Sequence, residues 1–431
     1  MIRSEASART PGFIVSRAWW LACALALRVG FALRLGDGFY QVDENGFCAQ
    51  ARALALSGSL GPHGVAPLTP GFFALVFRAF GDRFLYARLA QAVLGAATAW
   101  IIGLMTEDLA RSRRAGTFAL AVSAVYPFFI YYSGMLMSET LDVFFVVLSL
   151  WALVESLGTD SPAVGAAAGL LSGLAALVRP ENAPIFLLLW LAAGAWRLSR
   201  RRAVRPWILA VLLWAQPILF WCARNELEVG AFKLDDHGGM TLVHGTILFD
   251  LNEIDTGVAM DSFRRSDLYG RAQSLSEPAQ DALYMRAAAD YMRSHPKRTA
   301  RQWARKFVNF WRFYPRVDKR YADLPTNHPS VGLPRGALVA VSLLFEPWLI
   351  LAGLWGLWRL WRQRPETLVL PLFVLSSAAL HAVSVSQMRY RLPVMPLLIL
   401  GAAVLWDARQ GADALRRRPR QSGFGAKSRC L

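Results

Sequence analysis

The stretch Ser138-Glu139-Thr140-Leu141-Asp142-Val143-Phe144-Phe145-Val146-Val147-Leu148-Ser149-Leu150-Trp151-Ala152-Leu153-Val154 sets two carboxylates at the head of a long apolar run. Glu139 and Asp142 are three positions apart, so on a helix they share one face. The run approaches the ~20 residues that cross a bilayer. Ionisable groups at membrane depth are expensive, and they face a polar interior or a site. One end of this segment is therefore a candidate for chemistry, and the rest of it for burial in lipid or in other helices.

The remaining chain is of the same kind. Hydrophobic residues make up 55% and charged residues 18% of the 431 positions, which is too apolar for a soluble domain of that length. Further apolar runs lie at 13–35, 84–106, 115–132, 163–179, 182–196, 207–222, 336–358, 366–385 and 392–407. With the run at 140–157 they predict an all-α integral membrane protein of about ten transmembrane helices.

The formal charge of +17 does not point to nucleic acid, because much of the basic excess sits in short segments between these runs. Arg111, Arg113 and Arg114 form one cluster, Arg197, Arg200, Arg201, Arg202 and Arg205 a second, and Arg359, Arg362 and Arg364 a third. Arg416, Arg417, Arg418 and Arg420 follow in the tail. With ten spans all four clusters fall on one side, which the positive-inside rule makes cytoplasmic, with both termini. Arg28 interrupts the first run and is expected to face the bundle interior. Cys23, Cys48, Cys222 and Cys430 show no paired spacing that would suggest a disulfide framework or a zinc site.

This topology divides the chain into an N-terminal transmembrane module, 1–222, with an outer loop at 36–83; an extracytoplasmic segment, 223–335; C-terminal transmembrane helices, 336–408; and a basic cytoplasmic tail, 409–431. Within the first outer loop, Val42 to Leu56 places Phe47, Ala51, Leu54 and Ala55 on one helical face. Phe72 to Phe80 is apolar but too short to span. Both read as helices lying along the membrane. Gly165, Gly169 and Gly173 recur every fourth residue, the pattern that lets helices approach closely.

The segment 223–335 starts polar and irregular, then predicts a helix from Pro278 with Ser276 as N-cap, interrupted at His295-Pro296. A second helix runs to about Phe313. It sets Trp303, Phe307 and Phe310 against Arg298, Arg301, Arg305 and Lys306, as suits a helix resting on an anionic surface.

Three carboxylates converge at one height in this scheme. Asp43 and Glu44 stand at the start of the first interfacial helix, where stabilisation of a helix N-terminus is the competing reading. Glu139 stands at the outer end of its span. Arg88, Arg179, Arg224, Arg389 and Arg391 flank the same level. A carboxylate can take a proton from an acceptor while guanidiniums hold a leaving phosphate bidentately, which is what attack on a phosphate-activated carbon requires. The chain has no Gly-rich nucleotide-binding fingerprint and no Walker loop, so an activated sugar would come from the bilayer as a polyprenyl phosphate.

The order of these motifs resembles the polytopic glycosyltransferases of the GT-C fold, in particular relatives of the protein O-mannosyltransferases and of the aminoarabinose transferases that modify lipid A. The resemblance runs from about 35 to 400. It rests on Asp43-Glu44, Pro67-Leu68-Thr69-Pro70, Ala87-Arg88-Leu89, Ser138-Glu139, Leu177-Val178-Arg179-Pro180, Arg224-Asn225, Gly238-Gly239, His295-Pro296 and Arg389-Tyr390-Arg391-Leu392-Pro393 with Pro396.

The resemblance implies two juxtamembrane helices in the first outer loop, with Asp43 as general base or its close partner. Glu44 would orient the acceptor, Glu139 would be a second acidic site residue, and Arg389 and Arg391 would sit near the carrier phosphate. It implies transfer with inversion to an extracytoplasmic glycan, lipid or protein acceptor at a cell inner membrane. The acceptor is left open, since the C-terminal soluble domain of larger members is lacking. A divalent metal is also left open, with Asp43 and Glu139 the ligands to test. The rival classes are a transporter or flippase for a lipid-linked saccharide, for which no internal repeat is found, and a non-catalytic envelope scaffold protein. A scaffold would tolerate loss of the carboxylates.

Overall fold

The computed structural model describes residues 11–61, 65–252, 256–314 and 335–416, and every regular element among them is helical. The basic tail beyond Arg416 lies outside the described residues. Each apolar run forms a helix: α1 (Pro11–Leu35), α4 (Phe84–Ala110), α5 and α6 (Arg113–Val125 and Pro127–Gly134), α7 (Glu139–Gly158), α8 (Pro162–Val178), α9 (Asn182–Ser199) and α10 (Arg205–Val229). Towards the C-terminus come α17 (Arg335–Gln363), α18 (Val369–Val383) and α19 (Met395–Arg416). The chain is a multi-pass membrane protein.

Among the described residues, seven helices are long and apolar enough to cross a membrane, or eight if the bent pair α5 and α6 is one span, fewer than the ten expected. α8, with 17 residues, is short of that length, and α9 carries Asn182 and Arg197 near its ends.

The bend between α5 and α6 is 51° and has a local cause. Pro127 has no N–H, and its ring clashes with the carbonyl four residues back, that of Ser123. Arg28 of α1 is fully buried, as its position in the first run predicts, and it donates to Ser123 O and Ala124 O at 3.0 Å each. A cation inside the bundle thus satisfies the carbonyls that the proline frees.

The segment 36–83 contains the two predicted helices, α2 (Val42–Ser57) and α3 (Leu68–Phe80). Cys48 and Ala51 of α2 pack on Phe73, Ala74 and Phe77 of α3, and both rest on Phe84 and Ala87 of α4 and on Leu136. Burial of this apolar cluster anchors the loop to the bundle, so the start of α2 has a fixed position.

The glycine repeat of α8 is an interhelical seam. A methyl group at Gly165 would lie 2.6 Å from Pro206 O, at Gly169 2.1 Å from Ala210 O, and at Gly173 2.6 Å from Trp214 O. Only glycine lets α8 and α10 approach so closely.

The segment that begins at 223 is more helical than its polar start suggests. α10 continues to Val229, and four short helices follow: α11 (Gly238–Gly245), α12 (Phe249–Asn252), α13 (Thr256–Arg264) and α14 (Asp267–Ala272). α15 (Glu277–Ser294) and α16 (Pro296–Phe310) occupy the two predicted ranges. Short helices were missed because Val243, Leu248, Phe263, Ala272, Tyr284 and Ala288 bury one another only after the chain has turned on itself.

The face assigned to α16 needs correction. Lys306 and Phe310 are both fully buried, while Trp303, Phe307 and Val308 are exposed on another side. Lys306 turns inward because three carbonyls await it, those of Gly245 at 2.9 Å, Val383 at 2.6 Å and Ser384 at 2.8 Å. Two of these belong to the C-terminal ends of α11 and α18, where a cation is favoured.

Candidate functional site

Asp43 and Glu44 are adjacent in sequence but point apart, since consecutive helical residues are separated by about 100°. Glu44 is fully buried. Its Oε2 accepts the Tyr40 and Gln41 backbone N–H groups at 2.5 and 2.9 Å, closing the start of α2. Its Oε1 accepts Leu136 N–H at 2.8 Å and faces Arg88 at 3.2 Å. Asp43 remains half-exposed, and one of its oxygens accepts from Arg389 at 2.8 Å.

Glu139 begins α7 and is 2% exposed. Arg179 stands 3.6 Å from its Oε1, while its Oε2 is buried with no hydrogen-bond partner. Arg179 reaches this position because Pro180 disfavours helix at the residue before it. α8 therefore ends at Val178 and Arg179 is extended. Its Nε donates to Glu181 at 2.7 Å and lies 3.9 Å from Asp142. Asp142 accepts from Asn182 at 2.6 Å. Burial opposes the Arg179 charge, but Glu181, Glu139 and Asp142 outweigh it and raise its pKa. Burial likewise works to raise the Glu181 carboxyl, yet the charges of Arg179 and His381 bring it below the usual range.

Arg389 lies in a short 3-10 segment, Met388–Val394, between α18 and α19. It feels the charge of Glu139 as well as that of Asp43, and so joins the two carboxylates. Tyr390 is the platform beneath. The Arg179 and Arg389 guanidiniums each lie 5.1 Å from its ring centroid, within cation–π range. His381 stacks on Tyr390 at 4.7 Å, and Phe310 lies beyond His381 at 5.9 Å. Arg179 Nη1 and Arg389 Nε are buried without hydrogen-bond partners, like Glu139 Oε2. Buried unsatisfied polar atoms are rare in native proteins. Here three of them, of both signs, belong to Arg179, Arg389 and Glu139, which are linked through the Arg179–Glu139 contact and the shared Tyr390 ring.

Of the residues singled out in the sequence, Asp43 pairs with Arg389, Glu139 lies beside Arg179, and both guanidiniums share the Tyr390 ring. The other three arginines are engaged with the protein itself. Arg88 donates to the carbonyls of Gly134, Gly36 and Gly38 at 2.8, 2.9 and 2.6 Å. Arg224 reaches Gly61 O at 2.6 Å. Arg391 pairs with buried Glu346 at 2.6 Å and donates to Phe310 O and Arg312 O at 2.6 and 3.0 Å. Sequence reading did not assign roles to Tyr390, His381, Glu181 and Asn182. The signal for Tyr390 was its place between two arginines, and for Glu181 and Asn182 their place directly after Arg179-Pro180.

Among the described residues, no three His, Cys, Asp or Glu side chains form a set that could hold a metal ion. Asp43 and Glu139 each face a guanidinium instead.

Residues 64–221 match the family model described as dolichyl-phosphate-mannose-protein mannosyltransferase. Among solved structures, an archaeal oligosaccharyltransferase, AglB from Archaeoglobus fulgidus in complex with an inhibitory peptide and a dolichol-phosphate, is similar with a TM-score of 0.51 and 12% identity. The match covers 96% of this chain and 53% of AglB, so the chain spans about half the length of that protein. ArnT from Cupriavidus metallidurans bound to undecaprenyl phosphate gives a TM-score of 0.43 at 15% identity, covering 95% of this chain and 80% of that one. No curated protein matches the sequence. The fold is the GT-C fold that the motif order suggested.

Proposed function

We propose that this chain is a glycosyltransferase that moves a sugar from a polyprenyl-phosphate donor to an acceptor on the extracytoplasmic face. The observation that carries this reading is the half-exposed Asp43 carboxylate held against Arg389, which shares the Tyr390 ring with Arg179, the neighbour of buried, incompletely paired Glu139. The matched family model and the lipid phosphates in the names of AglB and ArnT support the same donor class.

In this mechanism Asp43 accepts the proton of an acceptor hydroxyl or amine as its oxygen or nitrogen attacks C1 of the sugar. The bond between C1 and the phosphate oxygen breaks with inversion, and the polyprenyl phosphate departs. Arg389 and Arg179 neutralise the charge that grows on that phosphate, and Tyr390 holds both guanidiniums in place. Glu139 keeps Arg179 aimed and takes a hydroxyl of the sugar on its unsatisfied oxygen. Arg88, Arg224 and Arg391 brace the scaffold.

Helix length and the placement of the basic clusters support the outer location. Arg88 lies near the site and Ala110 at the other end of α4, ~33 Å away at ~1.5 Å per residue. The basic clusters near Arg111, Arg200 and Arg359 lie at that far end, which the positive-inside rule makes cytoplasmic.

The test is transfer by the detergent-purified protein from a radiolabelled polyprenyl-phosphate sugar, with the acceptor found by mass spectrometry of envelope glycans and glycoproteins with and without the gene. Product formation supports an enzyme. A flippase makes none where no compartments exist, and a scaffold leaves the envelope sugars unchanged.

A further inference from the structure

We propose that the end of the bundle opposite Asp43 carries a second site, for the headgroup of an amine-bearing phospholipid. A cavity of about 390 Å³ lies where the C-terminal ends of α4, α17 and α19 meet. Leu109, Leu360 and Val404 form an apolar part of its wall, and Arg111, Arg359 and Asp407 contribute charge. Among the described residues none of these three charged side chains has a hydrogen-bond or ionic partner. Arg364 and Glu366, also in the wall, pair with each other at 2.9 Å, and Arg364 donates to Asp108 O and Leu109 O at 3.3 and 3.2 Å. It fixes the wall and leaves Arg111 and Arg359 to a ligand.

The chemistry of the lining selects the ligand. Two unpaired guanidiniums suit a phosphate diester, which they can hold by charge-assisted hydrogen bonds. The unpaired Asp407 carboxylate would repel a purely anionic headgroup but attracts an ammonium. A headgroup with both charges satisfies all three side chains, and the apolar wall receives the glycerol and the first methylenes. Basic pockets between transmembrane helices on the cytoplasmic side are known to hold lipid headgroups. Trp355 and Trp358, 56% and 46% exposed on the same turns of α17, have the character of membrane-interface anchors. Arg111 also caps α4 with φ of 52°, a left-handed conformation that a long side chain rarely adopts. That backbone turn carries the side chain around the helix end to the cavity.

The experiment is native mass spectrometry of the delipidated full chain in detergent, titrated separately with dihexanoyl phosphatidylethanolamine, dihexanoyl phosphatidylglycerol and inorganic phosphate. The ethanolamine lipid is expected to bind more tightly than the glycerol lipid. Its affinity should fall about tenfold or more in Arg111→Gln/Arg359→Gln, the scale of two arginines at an anionic surface. Arg359→Gln alone, in the middle of a regular helix turn, should show part of the loss without disturbing the α4 cap. Asp407→Asn should erase the preference for the amine. Unchanged binding in both arginine variants overturns the site. Equal binding of the two lipids by the unaltered chain, or displacement of the lipid by equimolar inorganic phosphate, overturns the lipid assignment.

Discussion

Arg389 donates to the Asp43 carboxylate at 2.8 Å across 346 positions of the chain, tying the turn before α19 to the first turn of α2. The neighbouring Glu44 has a different task, for it is buried among backbone donors and Arg88. The two acids should therefore fail differently. Asp43→Asn should lower transfer about 10²–10⁴-fold, the usual range for a general base, with unchanged thermal unfolding in detergent. Glu44→Gln should leave Arg88 without its counter-charge and cost about 3–5 kcal/mol of stability. Equal thermal stability of Glu44→Gln and the unaltered protein would contradict this division.

The two arginines at the ends of Arg389-Tyr390-Arg391 should separate in the same way. Arg389→Lys keeps the charge but loses the planar fork, so KM for the lipid phosphate donor should rise about tenfold or more while the protein remains folded. Arg391→Gln leaves Glu346 and Tyr126 OH buried without a cation. That variant should unfold early or fail to accumulate, irrespective of donor concentration. Saturation kinetics for the first and size-exclusion profiles for the second distinguish the two roles.

Periodicity and run length made the helices legible, because burial of an apolar stretch in lipid is a local property of the sequence. The site was legible only as a neighbourhood. Asp43 and Glu44 are identical in character and one position apart, and the direction each takes depends on where α2 docks against Phe73, Phe77 and Phe84. Lys306 reads as one more cation on a basic helix face, but three carbonyls from α11 and the end of α18 draw it inside. Tyr390 likewise acquires its role only when α8 delivers Arg179 to the ring. In each case the missing information is a tertiary contact between distant segments.

The seam between α8 and α10 makes a prediction about packing alone. A methyl group at Gly169 would stand 2.1 Å from Ala210 O, which is backbone and cannot swing away. Gly169→Leu should therefore force the helices apart and destabilise the protein by about 1–3 kcal/mol or more. Gly158, at the end of α7, has nothing within 4 Å of such a methyl group, and Gly158→Ala should be nearly silent. Thermal unfolding of the two variants, measured in one detergent, tests the contrast.

Lys306 gives the fold a pH dependence of defined sign. Burial pushes its pKa down from 10.5 to about 8, so between these values the folded chain binds fewer protons here than the unfolded chain. Stability then rises with pH through that window, because the cost of a buried charge, present in full below pH 8, is progressively relieved. The neutral amine still donates to two of the three carbonyls of Gly245, Val383 and Ser384, so the link between α16 and the end of α18 persists. Lys306→Met should lack this contribution while every other titrating group is retained. The melting temperature of the unaltered protein minus that of the variant should increase between pH 7 and 9.5, and a flat or falling difference would show that Lys306 keeps its proton throughout.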